Sequence, residues 1–124
     1  MIAGIGTDIV QIPRIEKVLA VYGERFISRI LSENEKKKLM TLNKSSYANF
    51  LAKRFAAKEA ISKAFGIGIG AQFSFKDVSI TNDELGKPCV QITPNSPLIS
   101  TFLDIHISLS DDYPISIAFV IITK

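Results

Sequence analysis

The longest helical signal in the chain runs from about Ser45 to Phe65, where Gly66 ends it, and the rest of the chain has to pack around it. Ala48, Leu51, Ala52, Lys53, Arg54, Ala56, Ala57, Lys58, Glu59 and Ala60 are mostly strong helix formers. At about 100° per residue, Tyr47, Phe50, Leu51, Phe55, Ile61 and Phe65 share one broad face, and Arg54 and Lys58 project into the same arc. Such basic residues can lay their stems along apolar surface and keep their heads in water. On an adjacent stripe lie Ala52, Ala56, Glu59 and Lys63, at i, i+4, i+7 and i+11 spacing. Taken on the helix alone, Glu59 and Lys63 read as a surface pair worth roughly a few tenths of a kcal/mol.

Ahead of this helix, residues 2–12 are rich in Ile, Val and Gly with Asp8 among them, which predicts a buried strand. Pro13 suits the first turn of a helix carrying Ile15, Val18, Leu19 and Tyr22, with Gly23 as its stop. Ser32-Glu33-Asn34-Glu35 matches a capping box that opens a charged helix to about Leu42. Past the long helix, Gly66, Gly68 and Gly70 alternate with Ile67 and Ile69 and mark a loop. Residues 75–81 and 88–93 predict two strands joined as a hairpin through Asp83-Glu84-Leu85-Gly86-Lys87. Asn95 to about Leu103 predicts a short helix begun by Ser96 and Pro97. Ile105–Leu109 and Ile115–Ile122 predict a final antiparallel pair around Asp111-Asp112. Strand, helices, then strands is the order of an α+β fold. The expectation is one small domain over residues 1–124, its long helix packed on an antiparallel sheet.

Composition excludes several classes. With 47% hydrophobic and 22% charged residues the chain is globular rather than disordered. Its net charge of +3 is modest and no Lys/Arg run exceeds Lys36-Lys37-Lys38, so a nucleic-acid partner is not expected. A lone Cys89 excludes an internal disulfide and a multi-cysteine zinc site, and fits a reducing compartment. Met1-Ile2-Ala3-Gly4-Ile5 is apolar but lacks a basic n-region, so no signal peptide is expected. No run approaches the ~20 apolar residues that span a bilayer. A cytoplasmic protein without a membrane partner is the expectation.

Asp8 changes the reading of Glu59 and Lys63. A carboxylate inside an apolar strand is costly unless it is paired, hydrogen-bonded or metal-bound. It can pair with a basic residue. Alternatively, Asp8 and Glu59 together offer two hard oxygen ligands of the kind that suit Mg²⁺, whose shell is commonly completed by phosphate and water. With Lys63 one turn beyond Glu59, the set has the character of a phosphate-handling site.

Gly4-Ile5-Gly6-Thr7-Asp8-Ile9-Val10, followed by Arg14-Ile15-Glu16, resembles the opening of bacterial holo-acyl-carrier-protein synthases. Phe50-Leu51-Ala52-Lys53-Arg54-Phe55-Ala56-Ala57-Lys58-Glu59-Ala60, with Ser62-Lys63-Ala64 and Gly66-Ile67-Gly68-Ile69-Gly70, resembles their second motif, which is long and specific. Asn82-Asp83 with Gly86-Lys87-Pro88, and His106-Ile107-Ser108-Leu109-Ser110, are similar to the third and fourth. The resemblance spans essentially the whole chain in the right order. It implies transfer of 4′-phosphopantetheine from coenzyme A to a serine of an acyl carrier protein, with release of adenosine 3′,5′-bisphosphate.

By the same resemblance, Asp8 and Glu59 would ligate Mg²⁺, and Lys63 would stabilise charge on the transferred phosphoryl group or the leaving bisphosphate. Glu59 and Lys63 would be catalytic, with the serine proton going to Glu59 or to a metal-bound water. Arg54, Lys58, Lys63, His106 and Ser110 would meet coenzyme A. Arg14 and Arg25 would meet the carrier, whose acidic surface a basic helix steers. The implied assembly is a homotrimer with sites at subunit interfaces. The chain departs from the family at Asp111, where a second His commonly follows the Ser-X-Ser, so no coenzyme A contact is carried over there. It departs again at Ser45-Ser46, where basic residues often precede the long helix. A non-catalytic module that binds coenzyme A or a carrier protein is the alternative from another class.

Overall fold

A computed structural model of the chain describes residues 1–69, 73–93, 96 and 103–124. The helix expected from Asn95 to about Leu103 lies largely outside the described residues. β1 (Ile2–Gln11) runs directly into α1 (Ile12–Tyr22), which Pro13 starts. Gly23, at φ +53°, donates its N–H to Leu19 O at 2.8 Å and accepts from Phe26 and Ile27 N at 3.1 and 3.2 Å. One residue therefore stops α1 and opens α2 (Glu24–Ile30), a helix for which the sequence carries no capping signal. The capping box of α3 (Glu33–Met40) forms as expected: Glu35 N donates to Ser32 Oγ at 3.4 Å, and Ser32 N to Glu35 Oε1 at 2.9 Å.

A 3₁₀ turn at Lys44–Ser46 leads into α4 (Tyr47–Phe65), closed by Gly66 in the left-handed conformation. Residues Phe75–Asp77, expected in a strand, form a second 3₁₀ turn instead. There Ser74 N donates to Asp77 Oδ2 at 3.1 Å, a local bond that competes with a strand ladder. β2 (Val78–Asn82) and β3 (Pro88–Ile92) make the expected hairpin, its turn tied by Leu85 N and Lys87 N donating to Asp83 Oδ1 at 2.9 Å each. β4 (Asp104–Asp112) and β5 (Ile115–Thr123) are longer than expected. Asp111 and Asp112 pair with Ser116 and Ile115 inside the ladder, so the turn falls at Tyr113-Pro114.

The main sheet has the order β1-β5-β4, antiparallel throughout, and β2-β3 forms a separate sheet. α4 lies between them and is covered nearly all round: Leu51, Ala52, Ala56, Ala57, Ala60 and Ile61 are fully buried, and only Lys63 is exposed. This is the α+β single domain with its long helix on an antiparallel sheet. β1, however, is not buried on both faces. Ile5 and Ile9 are 58% and 64% exposed, and Ile117 and Phe119 of β5 beside them 41% and 43%. One face of the sheet packs on α4; the other is open in the single chain. Among the described residues no helix is long and apolar enough to cross a membrane.

Candidate active site

Successive residues of a strand point to opposite faces, so Gly4, Gly6 and Asp8 share the face of β1 that meets α4. A Cβ on Gly4 would lie 2.0 Å from Ala64 O, and one on Gly6 only 1.9 Å from Ala60 O. Backbone therefore packs on backbone, and the next residue on that face, Asp8, arrives beside the Glu59–Lys63 turn. Lys63 Nζ donates to Asp8 Oδ1 at 3.1 Å and to Thr7 O at 3.0 Å. Burial raises the pKa of the Glu59 carboxyl, the Asp8 charge raises it further, and Lys63 opposes both.

Both readings of Asp8 thus meet in one place: it pairs with a lysine, and it faces a second carboxylate. Two carboxylates share a single ammonium, which leaves the cluster anionic. Among the described residues no group of three or more His, Cys, Asp and Glu gathers. Two hard oxygen donors beside an open cleft fit Mg²⁺, which commonly takes one or two carboxylates and fills its shell with water and phosphate.

Two clefts meet at Glu59. One, of about 500 Å³, is lined by Asp8, Arg14, Val18, Phe26, Phe55 and Glu59. The other, of about 640 Å³, has an apolar floor that includes Phe26, Phe55 and Phe75, with Arg25 and Arg29 on its walls. Arg14 and Arg25, singled out in the sequence, therefore border the same centre from α1 and α2. Arg29 was missed. Its signal is the i, i+4 repeat from Arg25, legible only once α2 is known to be a helix. All three arginines are exposed and make no ion pair among the described residues. Glu16, two positions after Arg14, accepts from Tyr113 Oη at 2.9 Å.

Arg54 and Lys58 do not join this centre. Lys58 is completely buried, donating to Glu35, to Ile30 O at 2.7 Å and to Phe75 O at 2.8 Å. Its three N–H bonds are spent inside the core, which corrects its assignment to coenzyme A. The same contacts correct the expectation that its head reaches water. Arg54 is 5% exposed, stacks over Phe50 at 4.3 Å and donates through Nη2 to Ile80 O at 3.2 Å. It also lines a separate cleft of about 360 Å³ with Lys38, Lys53, Asn82, Pro88 and Asp111. There Asp111 is a partner of Lys53 Nζ at 3.0 Å, so this departure from the family pattern neutralises a cation rather than supplying one.

His106 and Ser110 lie on the open face of the sheet, paired with Ile121 and Ile117, on the side away from Asp8. His106 Nε2 lies 3.0 Å from Thr123 Oγ1. Within one chain, then, Asp8, Glu59, Lys63, Arg14 and Arg25 come together, Arg54 borders a third, separate cleft, and His106 and Ser110 face outward. The first group can hold a divalent cation beside a half-exposed ammonium, the electrostatic equipment of phosphoryl transfer.

Residues 4–118 match the 4′-phosphopantetheinyl transferase superfamily. Over 129 aligned positions the chain is 48% identical to a holo-[acyl-carrier-protein] synthase from Orientia tsutsugamushi, covering 99% of this chain and 98% of the relative. The crystal structure of holo-[acyl-carrier-protein] synthase from Neisseria meningitidis is 40% identical with a TM-score of 0.92, covering 100% of both chains. A Bacillus anthracis holo-(acyl-carrier-protein) synthase in complex with CoA (3′,5′-ADP) is 41% identical, with a TM-score of 0.87 over 100% of this chain and 98% of that one.

Proposed function

Because the chain belongs to the 4′-phosphopantetheinyl transferase superfamily, as a holo-acyl-carrier-protein synthase, we propose that it transfers 4′-phosphopantetheine from coenzyme A to a serine of an apo acyl carrier protein. The reaction depends on Mg²⁺ and releases adenosine 3′,5′-bisphosphate. The observation that carries this reading is the meeting of Asp8, Glu59 and Lys63 at the seam of β1 and α4.

Asp8 and Glu59 would hold the Mg²⁺. When bound, the ion supplies Lewis-acid neutralisation of the coenzyme A pyrophosphate. Lys63, half-exposed on a flexible stem, carries its ammonium to the transferred phosphoryl group or to the leaving bisphosphate. Glu59, which lines both clefts, is the chain's own acceptor for the serine proton. Arg14 and Arg25, joined by Arg29, border the clefts at Glu59 and steer the acidic carrier to it. Arg54 meets a phosphate of coenzyme A in its own cleft, among Lys38 and Lys53.

The assembly is a homotrimer. Its support is the open apolar face of Ile5, Ile9, Ile117 and Phe119, which water would otherwise cover. His106 and Ser110 share that face, so they act in coenzyme A binding across a subunit boundary. A cytoplasmic location fits the single free Cys89.

The test is transfer itself. Apo acyl carrier protein mixed with coenzyme A, Mg²⁺ and the protein gains the mass of one phosphopantetheinyl group on its serine. Asp8→Ala and Glu59→Ala each lower the rate by about 10²-fold or more. Full activity in both variants removes the metal and catalytic assignments.

A further inference from the structure

Glu35 is read from sequence only as half of a capping box, yet it is 1% exposed and sits at the centre of a charged network. Oε1 accepts from Ser32 N at 2.9 Å and from Lys58 Nζ; Oε2 accepts from Ile80 N at 2.9 Å and lies 3.8 Å from Arg54 Nε. Two buried cations thus share one buried anion, and the network keeps an uncompensated positive charge. The two cations are not equivalent. Lys58 has used all three of its N–H bonds and touches no cleft, whereas Arg54 Nε has no hydrogen-bond partner and Arg54 lines the cleft with Lys38 and Lys53. Burial lowers the pKa of both cations, and the Glu35 charge is what opposes this. The surplus charge therefore belongs to Arg54, whose residue lines a cleft of about 360 Å³, large enough for an anion.

We propose that Glu35 is a positioning residue for coenzyme A. With Ile80 O and the Phe50 ring it fixes the plane of the Arg54 guanidinium, so that the N–H edge not used inside the protein faces the incoming phosphate. Glu35 never touches the ligand; it presets the fork that does, which spares the ordering cost at binding. The inference rests on the reading of Arg54 as a coenzyme A residue.

Coenzyme A binding by calorimetry and steady-state transfer to apo carrier test it together. Arg54→Ala weakens coenzyme A binding. Glu35→Gln raises the KM for coenzyme A about tenfold, with kcat and the carrier KM unchanged within about twofold. Placed on the Arg54→Ala background, Glu35→Gln raises the coenzyme A KM no further. Where Glu35→Gln alone does not fold, Glu35→Gln/Lys58→Met replaces it, because it removes the ion pair whole and strands no ammonium in the core.

A folded variant without the Glu35 carboxylate that keeps the wild-type KM for coenzyme A overturns the proposal. So does a loss that multiplies in full with that of Arg54→Ala, or a fall in kcat at constant KM. If Arg54→Ala itself leaves coenzyme A binding unchanged, the phosphate reading of Arg54 fails first, and this inference falls with it.

Discussion

At the scale of single residues, the Asp8–Lys63 bond sets the behaviour of the centre. Removing the ammonium leaves two carboxylates facing each other, and like charges close together bind a cation more strongly. Lys63→Met therefore binds Mn²⁺ several-fold more tightly in calorimetry, while transfer falls by about 10²-fold. Glu59 supplies a second prediction. Its carboxyl pKa is raised in the folded chain, chiefly by burial and then by Asp8, so the folded state binds that proton more readily than the unfolded state. Stability from this group is complete below about pH 4, the ordinary glutamate range, and is lost as pH rises through the raised value. Metal-free Glu59→Gln accordingly melts above the wild type at neutral and alkaline pH and matches it in acid, by calorimetry with chelator. Asp8, Glu59 and Lys63 were legible because a carboxylate in an apolar strand and a charged pair on a helix stripe are local patterns. Lys58 was not legible. Its partner Glu35 lies 23 positions away, and no local spacing tells a snorkelling lysine from one whose head is buried.

At the scale of elements, what matters is how closely β1 rides on α4. Gly6→Ala puts a Cβ 1.9 Å from a backbone oxygen, and no rotamer can relieve that contact. The two elements must part. Thermal melts should record a loss of about 1–3 kcal/mol, and transfer by the remaining folded protein should fall by up to about 10²-fold as Asp8 is displaced. An unchanged rate in the folded variant would show that the seam does not set the centre's geometry. The long helix, the α3 cap and the β2-β3 hairpin were readable from propensity, capping and turn chemistry. α2 was not, because its seven residues follow a glycine already assigned as a stop. Phe75–Asp77 reads as strand by composition, but Ser74 and Asp77 close a local turn that the pattern of apolar residues does not encode.

At the scale of the whole molecule, the proposed trimer rests on the open sheet face. Phe119→Lys or Ile9→Lys puts a charge into the proposed contact, and light scattering should then find monomers in the variants and the proposed trimer in the wild type. Coenzyme A binding should weaken with assembly, since His106 and Ser110 lie on the same face. A monomeric wild type that is fully active would contradict this. Periodicity made β1 apolar but could not say what covers it, and so an outward face was read as interior. The pairing of the first strand with the last has one more result. Among the described residues, β1, which bears Asp8, finds its ladder partner only in β5, residues Ile115–Thr123. On the ribosome the strand is made early and waits unpaired while nearly all of the chain is synthesised. Until β5 leaves the exit tunnel that ladder cannot close, so a nascent chain that stalls before Ile115 carries both Asp8 and Glu59 with the strand that bears Asp8 still unpaired.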